Sequence, residues 1–103
     1  MTIRLVKRPP NEAELKLEGR LDTVTAPSAQ EAFMKVAGEY ASLVLDFAKL
    51  EYVSSAGLRA LLMLQKQINR TGGSLSLRNV SPAIMEVFEM TGFSGILDIE
   101  DQA

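Results

Sequence analysis

Hydrophobic and polar residues alternate in two short runs near the start of the chain, at residues 2–7 and 13–18. Alternation with a period of two is typical of strands that bury one face. Between the two runs lie Pro9, Pro10 and Asn11, which are residue types that favour a turn. The pattern therefore predicts an antiparallel β-hairpin.

A helical spacing of hydrophobic residues follows Gly19. The apolar residues that recur with this spacing are Ala29, Phe33, Val36, Ala37 and Tyr40. Ahead of them, Thr25 is a candidate N-cap and Pro27 suits the first helical turn. We therefore predict a first helix that begins after Thr25.

Residues 42–47 form a nearly continuous apolar run of strand length, which is expected of a strand in the middle of a parallel sheet. Residues 48–53 are predicted to be a short connection. A long helix then runs from the SerSerAlaGly segment at residues 54–57 to about Arg70. The glycines at residues 72–73 are predicted to end it.

The alternating pattern returns at residues 74–80 and predicts another strand. Ser81 and Pro82 then begin a last helix, which Gly92 ends. The residues of this helix that are predicted to point inward are Ile84, Val87 and Phe88. Residues 96–99 are a candidate for a final strand.

A hairpin followed by helix–strand repeats predicts an α/β fold with a mixed, mostly parallel sheet of four or five strands. Residues 13–18 and 74–80 each place polar side chains on one face of their strand. We therefore expect the helices to stack mainly on the other face of the sheet. No internal repeat or long linker divides the chain, which predicts a single domain over residues 1–103.

Composition removes several kinds of chemistry. The 103 residues include no cysteine and no histidine, which excludes a Cys/His zinc site, a Ser-His-Asp triad and a thiol nucleophile. Eleven Lys and Arg against thirteen Asp and Glu give a net charge of -2, which provides no basic surface for nucleic acid. The charged start and the lack of a long apolar run predict a cytoplasmic protein that does not bind membranes.

The candidate site lies at residues 50–62, where the chain leaves a strand region and enters a helix. A helix N-terminus offers free backbone N–H groups and the positive end of its dipole, so a hydroxyl there is well placed to carry a phosphate. Serine is also a common helix cap, and capping requires only one serine. If Ser54 is the cap, Ser55 lies in the first turn, exposed and without a structural role.

Two further features of this helix bear on a partner surface. Gly57 costs about 1 kcal/mol relative to alanine inside a helix, which suggests a close backbone approach, for example by a partner.

A helical wheel places Leu58, Leu61, Leu62, Leu64 and Ile68 on the core side. The opposite side is cationic and carries Arg59, Met63, Lys66, Gln67 and Arg70. An exposed methionine among basic residues suits a partner surface.

Four segments together carry a family resemblance. They are GlyArgLeuAsp and ThrAla within residues 19–26, LeuValLeuAspPhe at 43–47, ValSerSerAlaGlyLeuArgAlaLeuLeu at 53–62, and residues 72–93, with GlyGlySerLeuSerLeu, SerPro and ThrGlyPhe. With these motifs in this order, the chain resembles the STAS-domain anti-sigma factor antagonists of bacterial partner-switching systems. The resemblance covers nearly the whole chain.

The resemblance implies a phosphorylated serine at the start of the second helix, and its motif position, two residues before the glycine, is that of Ser55. Asp22 matches a position that lies beside the phosphoacceptor and helps to contact the kinase; from sequence alone it is equally well a turn or capping carboxylate. In the family's commonest form an Asp precedes the phosphoacceptor and a second hydroxyl follows it. Here Ser54 and Ala56 stand at those positions.

The implied function is that of a switch. The unphosphorylated protein would bind an anti-sigma factor that is also a serine kinase of the histidine-kinase-like ATPase fold, and so release a sigma factor. Phosphorylation would end binding, and a metal-dependent serine/threonine phosphatase would reverse it. The implied partner-binding residues are Asp22, Thr23, Ser54, Ser55, Ala56, Gly57, Arg59 and Met63. Because the partner holds ATP and magnesium, the chain would need no cofactor or metal and would not be an enzyme. Relatives act as monomers, so the resemblance also implies a monomer when the chain is free.

Two other functions remain open at this point. The domain could be a fixed STAS subunit of a lipid transporter or a stress-signalling complex, in which Ser55 has no signalling role. It could also be a hydrolase that uses Ser55 with Lys66 or Asp22, although no basic residue is convincingly placed to activate the hydroxyl.

Overall fold

Strands and helices alternate along the chain in the computed structural model, which describes residues 1–8 and 10–100. The elements of the described chain are β1 (Thr2–Arg8), β2 (Glu12–Leu21), α1 (Ala26–Ala37), β3 (Ser42–Val53), α2 (Ser55–Thr71), β4 (Ser74–Arg78) and α3 (Pro82–Thr91). Pro10 and Asn11 form the predicted turn of the hairpin, and Pro9 lies outside the described residues.

The four strands form one sheet in the order β1-β2-β3-β4. β1 pairs antiparallel with β2, whereas β3 pairs parallel with both β2 and β4. The predicted hairpin and the mixed, mostly parallel sheet are therefore confirmed.

One face of the sheet carries the hydrophobic core. Leu43, Leu45 and Phe47 of β3 belong to a single buried cluster with residues of all three helices, among them Phe33 and Phe88. The rings of Phe47 and Phe88 pack with their centroids 6.2 Å apart. We call the opposite side of the sheet the open face. Its side chains include Arg4, Arg8, Glu14, Lys16, Val44, Asp46 and Arg78, which alternate with core residues. The predicted stacking of helices on one face is confirmed.

The predicted connection at residues 48–53 is wrong, because β3 continues through it to Val53. In the second half of β3 the buried residues are Phe47, Leu50 and Val53, which follow one another at intervals of three residues rather than the two of a regular strand. Irregularities in the pairing with β2 cause this spacing, since Phe47 and Ala48 together lie opposite one β2 residue. β2 likewise extends beyond its predicted end, through Gly19 at a φ of 104°, which glycine adopts without strain.

The end of the described chain also differs from its prediction. Residues 96–99 do not form a strand; Ile99 makes a single parallel bridge to Leu77, and Ile96 is exposed. A short 3₁₀ turn at Phe93–Gly95 precedes this segment.

The ends of the two later helices follow their local chemistry. Ser81 caps α3 by accepting a hydrogen bond from the Ile84 N–H at 3.3 Å. Gly72 and Gly92 follow α2 and α3 in the left-handed conformation, with φ values of 75° and 81°. Helix α1 ends at Ala37, so Tyr40, predicted to lie on its inner face, instead follows the helix and is half-buried.

Candidate functional site

Two predicted site segments meet where β2 and β3 end. Leu21, the last residue of β2, lies opposite Val53, the last residue of β3. The Ser54 N–H then donates a hydrogen bond of 2.9 Å to the Leu21 carbonyl oxygen. Asp22 follows Leu21 and Ser55 follows Ser54, so parallel strand pairing brings the Asp22 loop and the start of α2 together.

The two serines have separate roles in the structure. Ser54 has extended backbone angles, and its Oγ accepts a hydrogen bond of 3.3 Å from the Gly57 N–H. Ser54 is therefore the N-cap of α2. Ser55 is the first residue of α2 and is exposed, and within the described chain its hydroxyl makes no hydrogen bond. Ser54 is thus the capping serine, and Ser55 lies exposed in the first turn, as expected from the sequence if Ser54 is the cap.

We expect Ser54→Ala to lower the free energy of unfolding by about 1 kcal/mol, because it removes the cap. Ser81→Ala is a matched control that should lose a similar amount, since Ser81 caps α3 with the same 3.3 Å geometry. Ser55→Ala should change stability by less than about 0.5 kcal/mol. Urea unfolding measures all three, and an unchanged midpoint for Ser54→Ala would contradict the capping role.

The loop between β2 and α1 is organised by Asp22. Its Oδ1 accepts hydrogen bonds from the N–H groups of Val24 at 3.0 Å and Thr25 at 3.1 Å. The Thr25 hydroxyl donates to the Arg20 carbonyl oxygen at 2.8 Å and accepts from the Asp22 N–H at 2.9 Å. Thr25 stands at the N-cap position of α1 as predicted, but it has helical backbone angles and its side chain makes no capping hydrogen bond. Pro27 lies in the first turn as predicted.

The Asp22 carboxylate carries a stable negative charge. Its pKa is lowered by the hydrogen bond from the Thr25 backbone, with further contributions from the Thr25 hydroxyl, the Val24 N–H and the Arg20 guanidinium. Partial desolvation opposes these effects without reversing them. Asp22 therefore closes the loop and also places a fixed negative charge beside the start of α2.

Three exposed side chains near these segments were missed by sequence analysis. The Arg20 guanidinium lies 4.2 Å from the centroid of the Tyr52 ring, and its Nε lies 3.8 Å from Asp22 Oδ2. Tyr52 is 41% exposed and Val24 is 85% exposed. Arg20 and Tyr52 face each other only because β2 and β3 extend beyond their predicted ends. The available sequence signal was an Arg two residues before Asp22 and a Tyr three residues before Ser55.

Gly57 is required by packing inside the protein. A Cβ on this residue would lie 2.7 Å from both the Cγ and the carbonyl oxygen of Leu21, and 3.1 Å from Val53 Cγ1. The close approach that the sequence predicted is therefore made by β2, and its attribution to a partner is wrong. Because Gly57 is buried, we leave it out of the partner-facing surface.

The outer side of α2 is cationic as predicted. Arg59, Lys66 and Arg70 are exposed, and Met63 among them is 39% exposed. The inner side differs in detail from the helical wheel. Leu62 is only half-buried, whereas Gln65 is buried and donates a hydrogen bond of 2.9 Å from Nε2 to Asn69 Oδ1.

The geometry does not support a Ser55 hydrolase. Lys66 follows Ser55 by three turns of α2, which is about 16 Å along the helix axis. The Asp22 Oδ1 already accepts hydrogen bonds from its own loop. Lys66 is therefore too distant to activate the Ser55 hydroxyl, and the lowered pKa of Asp22 makes that carboxylate a weak general base.

Residues 1–8 and 10–100 contain neither a metal-binding cluster nor a membrane-spanning helix. No group of three or more Asp or Glu side chains is arranged to hold a metal ion. No helix in this part of the chain combines the length and apolar character that a membrane span requires.

Comparison with known proteins places the chain among characterised sequences and folds. The family described as "Mlab, STAS domain" matches residues 5–98. An anti-sigma-B factor antagonist of Bacillus subtilis is 31% identical over 94 residues, covering 91% of this chain and 86% of that protein. The anti-sigma factor antagonist SpoIIAA in its unphosphorylated form has a similar fold, with a TM-score of 0.77 at 19% identity over 99% of this chain and 90% of that one. The phosphorylated form of SpoIIAA from Bacillus gives a TM-score of 0.75 at 18% identity over 98% and 93% of the two chains.

Proposed function

Because this chain belongs to the STAS domain family, we propose that it is an anti-sigma factor antagonist whose partner binding is switched by phosphorylation of Ser55. The anti-sigma-B factor antagonist at 31% identity supports antagonism of an anti-sigma factor. The observation that carries the proposed switch is the exposed Ser55 hydroxyl, which is left unused at the N-terminus of α2 because Ser54 provides the cap.

A phosphate on Ser55 would be tolerated by the fold. The N-terminal end of a helix favours negative charge by up to about 1 kcal/mol, and the cap on Ser54 is not disturbed. The same phosphate adds about -1.5 to -2 charge beside the ionised Asp22. A partner surface matched to the unmodified site would then meet extra charge and bulk, so binding ends while the domain stays folded.

The partner supplies the chemistry in this scheme. STAS antagonists are regulatory proteins rather than enzymes. The proposed partner is an anti-sigma factor with serine kinase activity and a histidine-kinase-like ATPase fold, which holds ATP and magnesium. A metal-dependent serine/threonine phosphatase resets the switch, and all three proteins act in the cytoplasm, where ATP is available. The proposed contact residues are Asp22, Thr23, Ser54, Ser55, Ala56, Arg59 and Met63. Gly57 contributes indirectly, because it lets the start of α2 pack closely against Leu21.

The replacement of the family's common Asp by Ser54 has a simple structural consequence. Serine and aspartate cap helices equally well, so α2 keeps its N-terminal geometry without the extra negative charge. Ala56 offers no hydroxyl, and the Ser54 Oγ is used in capping. We therefore expect phosphate on Ser55 alone.

Site-mapped mass spectrometry of the protein recovered from its own cells, with an affinity pull-down from the same lysate, tests this function. Phosphate on Ser55, together with capture of a histidine-kinase-like ATPase only by the unmodified form, is the expected result. A protein that is never phosphorylated at Ser55 and always remains in one complex would contradict the switch. That outcome would indicate a fixed STAS subunit of a transporter or stress-signalling assembly.

A further inference from the structure

A groove of about 240 Å³ lies on the open face of the sheet. It lies at the bulge where Phe47 and Ala48 of β3 together oppose Leu17 of β2. Bulges open the regular pairing of strands, redirect side chains and are enriched beside functional sites. The groove therefore occupies a place where the sheet departs from regular geometry.

The basic side chains of the open face fall into two groups. Arg8 and Arg78 form ion pairs with Glu14, at 2.6 Å and 3.7 Å, and Arg78 also pairs with Glu100 at 2.9 Å. The second group is Arg4, Lys16 and Lys49, which line the groove. Within the described part of the chain, these three residues form no ion pair with a carboxylate.

Two of these cations face each other directly. Arg4 of β1 and Lys16 of β2 are partners in the antiparallel register. Like charges at directly opposite positions destabilise a sheet. A pair of like charges that destabilises the sheet without an evident structural benefit is expected at a functional site.

The acidic residues that line the groove form no ion pair with its cations in the described part of the chain, although their charges offset part of the positive charge. Asp46 lies opposite Lys16 in the register, but its Oδ1 accepts hydrogen bonds of 2.9 Å from the Ala48 N–H and from Asn79 Nδ2. Glu18 lies opposite Lys49 without forming an ion pair in the described residues. The groove thus combines three cations with two carboxylates, Asp46 and Glu18, and keeps a net positive charge.

We propose that this groove binds a small phosphate-bearing molecule. Arg4, Lys16 and Lys49 contact the phosphate oxygens, because guanidinium and ammonium groups make strong charge-assisted hydrogen bonds to phosphate. Glu18 accepts a hydrogen bond from a hydroxyl of the same molecule. This binding is independent of the switch at Ser55.

An NMR titration of the ¹⁵N-labelled protein with pyrophosphate at constant ionic strength tests the proposal. We expect saturable shifts of the backbone amides of Arg4, Lys16 and Ala48. The double variant Arg4→Gln, Lys16→Gln should raise the pyrophosphate Kd by about tenfold or more. Parallel titrations with inorganic phosphate and glycerol 3-phosphate distinguish a free anion from a phosphate ester as the preferred ligand.

The matched control is the double variant Lys66→Gln, Arg70→Gln, which makes the same change in net charge on α2. It should bind pyrophosphate with the wild-type Kd. Thermal unfolding shows whether each variant is folded, and loss of the Arg4–Lys16 repulsion should raise the Tm measured without anion. Non-saturating shifts, an unchanged Kd in the groove variant, or an equal loss in the control would each overturn the proposal.

Discussion

Ser55→Asp and Ser55→Glu are expected to weaken binding to the cognate anti-sigma factor by about 100-fold, whereas Ser55→Ala should bind as tightly as the unmodified protein. A carboxylate added at an interface matched to the unmodified serine is desolvated without a partner charge, which costs several kcal/mol, and each 1.4 kcal/mol is tenfold in affinity. Asp22 already holds one negative charge beside this position. Alanine adds no charge, and Ser54 still caps the helix.

Isothermal titration calorimetry with the purified partner measures this series. Ser81→Asp is the matched control, since it adds the same charge at the N-terminus of α3 and aspartate is an equally good cap. It should retain wild-type affinity within about twofold. Equal affinity of the Ser55 variants and the wild-type protein would leave Ser55 with no role in binding and would favour a fixed subunit.

Gly57→Ala is expected to lower the free energy of unfolding by about 2 kcal/mol, although alanine is the better helix former by about 1 kcal/mol. The added Cβ would overlap the side chain and the carbonyl oxygen of Leu21, each at 2.7 Å. The free-energy penalty of such overpacking is typically larger than the stabilisation that alanine gains from its higher helix propensity. Because Leu21 directly precedes Asp22, the displacement should also disturb the site and weaken partner binding.

Chemical unfolding checks this result against Gly38→Ala. Gly38 follows α1 with a φ of -76°, and a Cβ there would lie no closer than 3.5 Å to the Lys35 carbonyl oxygen. That substitution should be neutral or stabilise the protein by about 0.4–1 kcal/mol, because it restricts the unfolded chain. If Gly57→Ala were as stable as Gly38→Ala, the close approach to Leu21 would be contradicted.

Local chemistry was the most predictable part of the fold. The Ser54 and Ser81 caps and the left-handed Gly72 and Gly92 are determined by residues within one turn of each helix end. The full length of β3 was not predictable in the same way. Its bulge depends on pairing with β2, so the buried residues Phe47, Leu50 and Val53 follow neither the period of a strand nor that of a helix.

In the candidate site, too, features set by neighbouring residues were predictable, whereas features set by strand pairing were not. The roles of Ser54 and Ser55 follow from helix capping and were visible in the sequence. The reason for Gly57 depends on Leu21, which is distant in sequence and is brought near by the parallel pairing of β2 and β3. The stacking of Arg20 on Tyr52 arises from the same pairing. Side chains that meet across strands have no local pattern from which sequence analysis could have placed them.

The hydrogen bond from the Ser54 N–H to the Leu21 carbonyl oxygen joins residues that are separated along the chain by the whole of α1 and the whole of β3. Contacts between such distant segments form only after loop closure and the slow pairing of parallel strands. We therefore expect the proposed partner-binding surface to be assembled late in folding, together with the centre of the sheet. Under the proposed function, a newly synthesised chain would bind its partner only after that step, so partner binding would be limited to fully folded molecules.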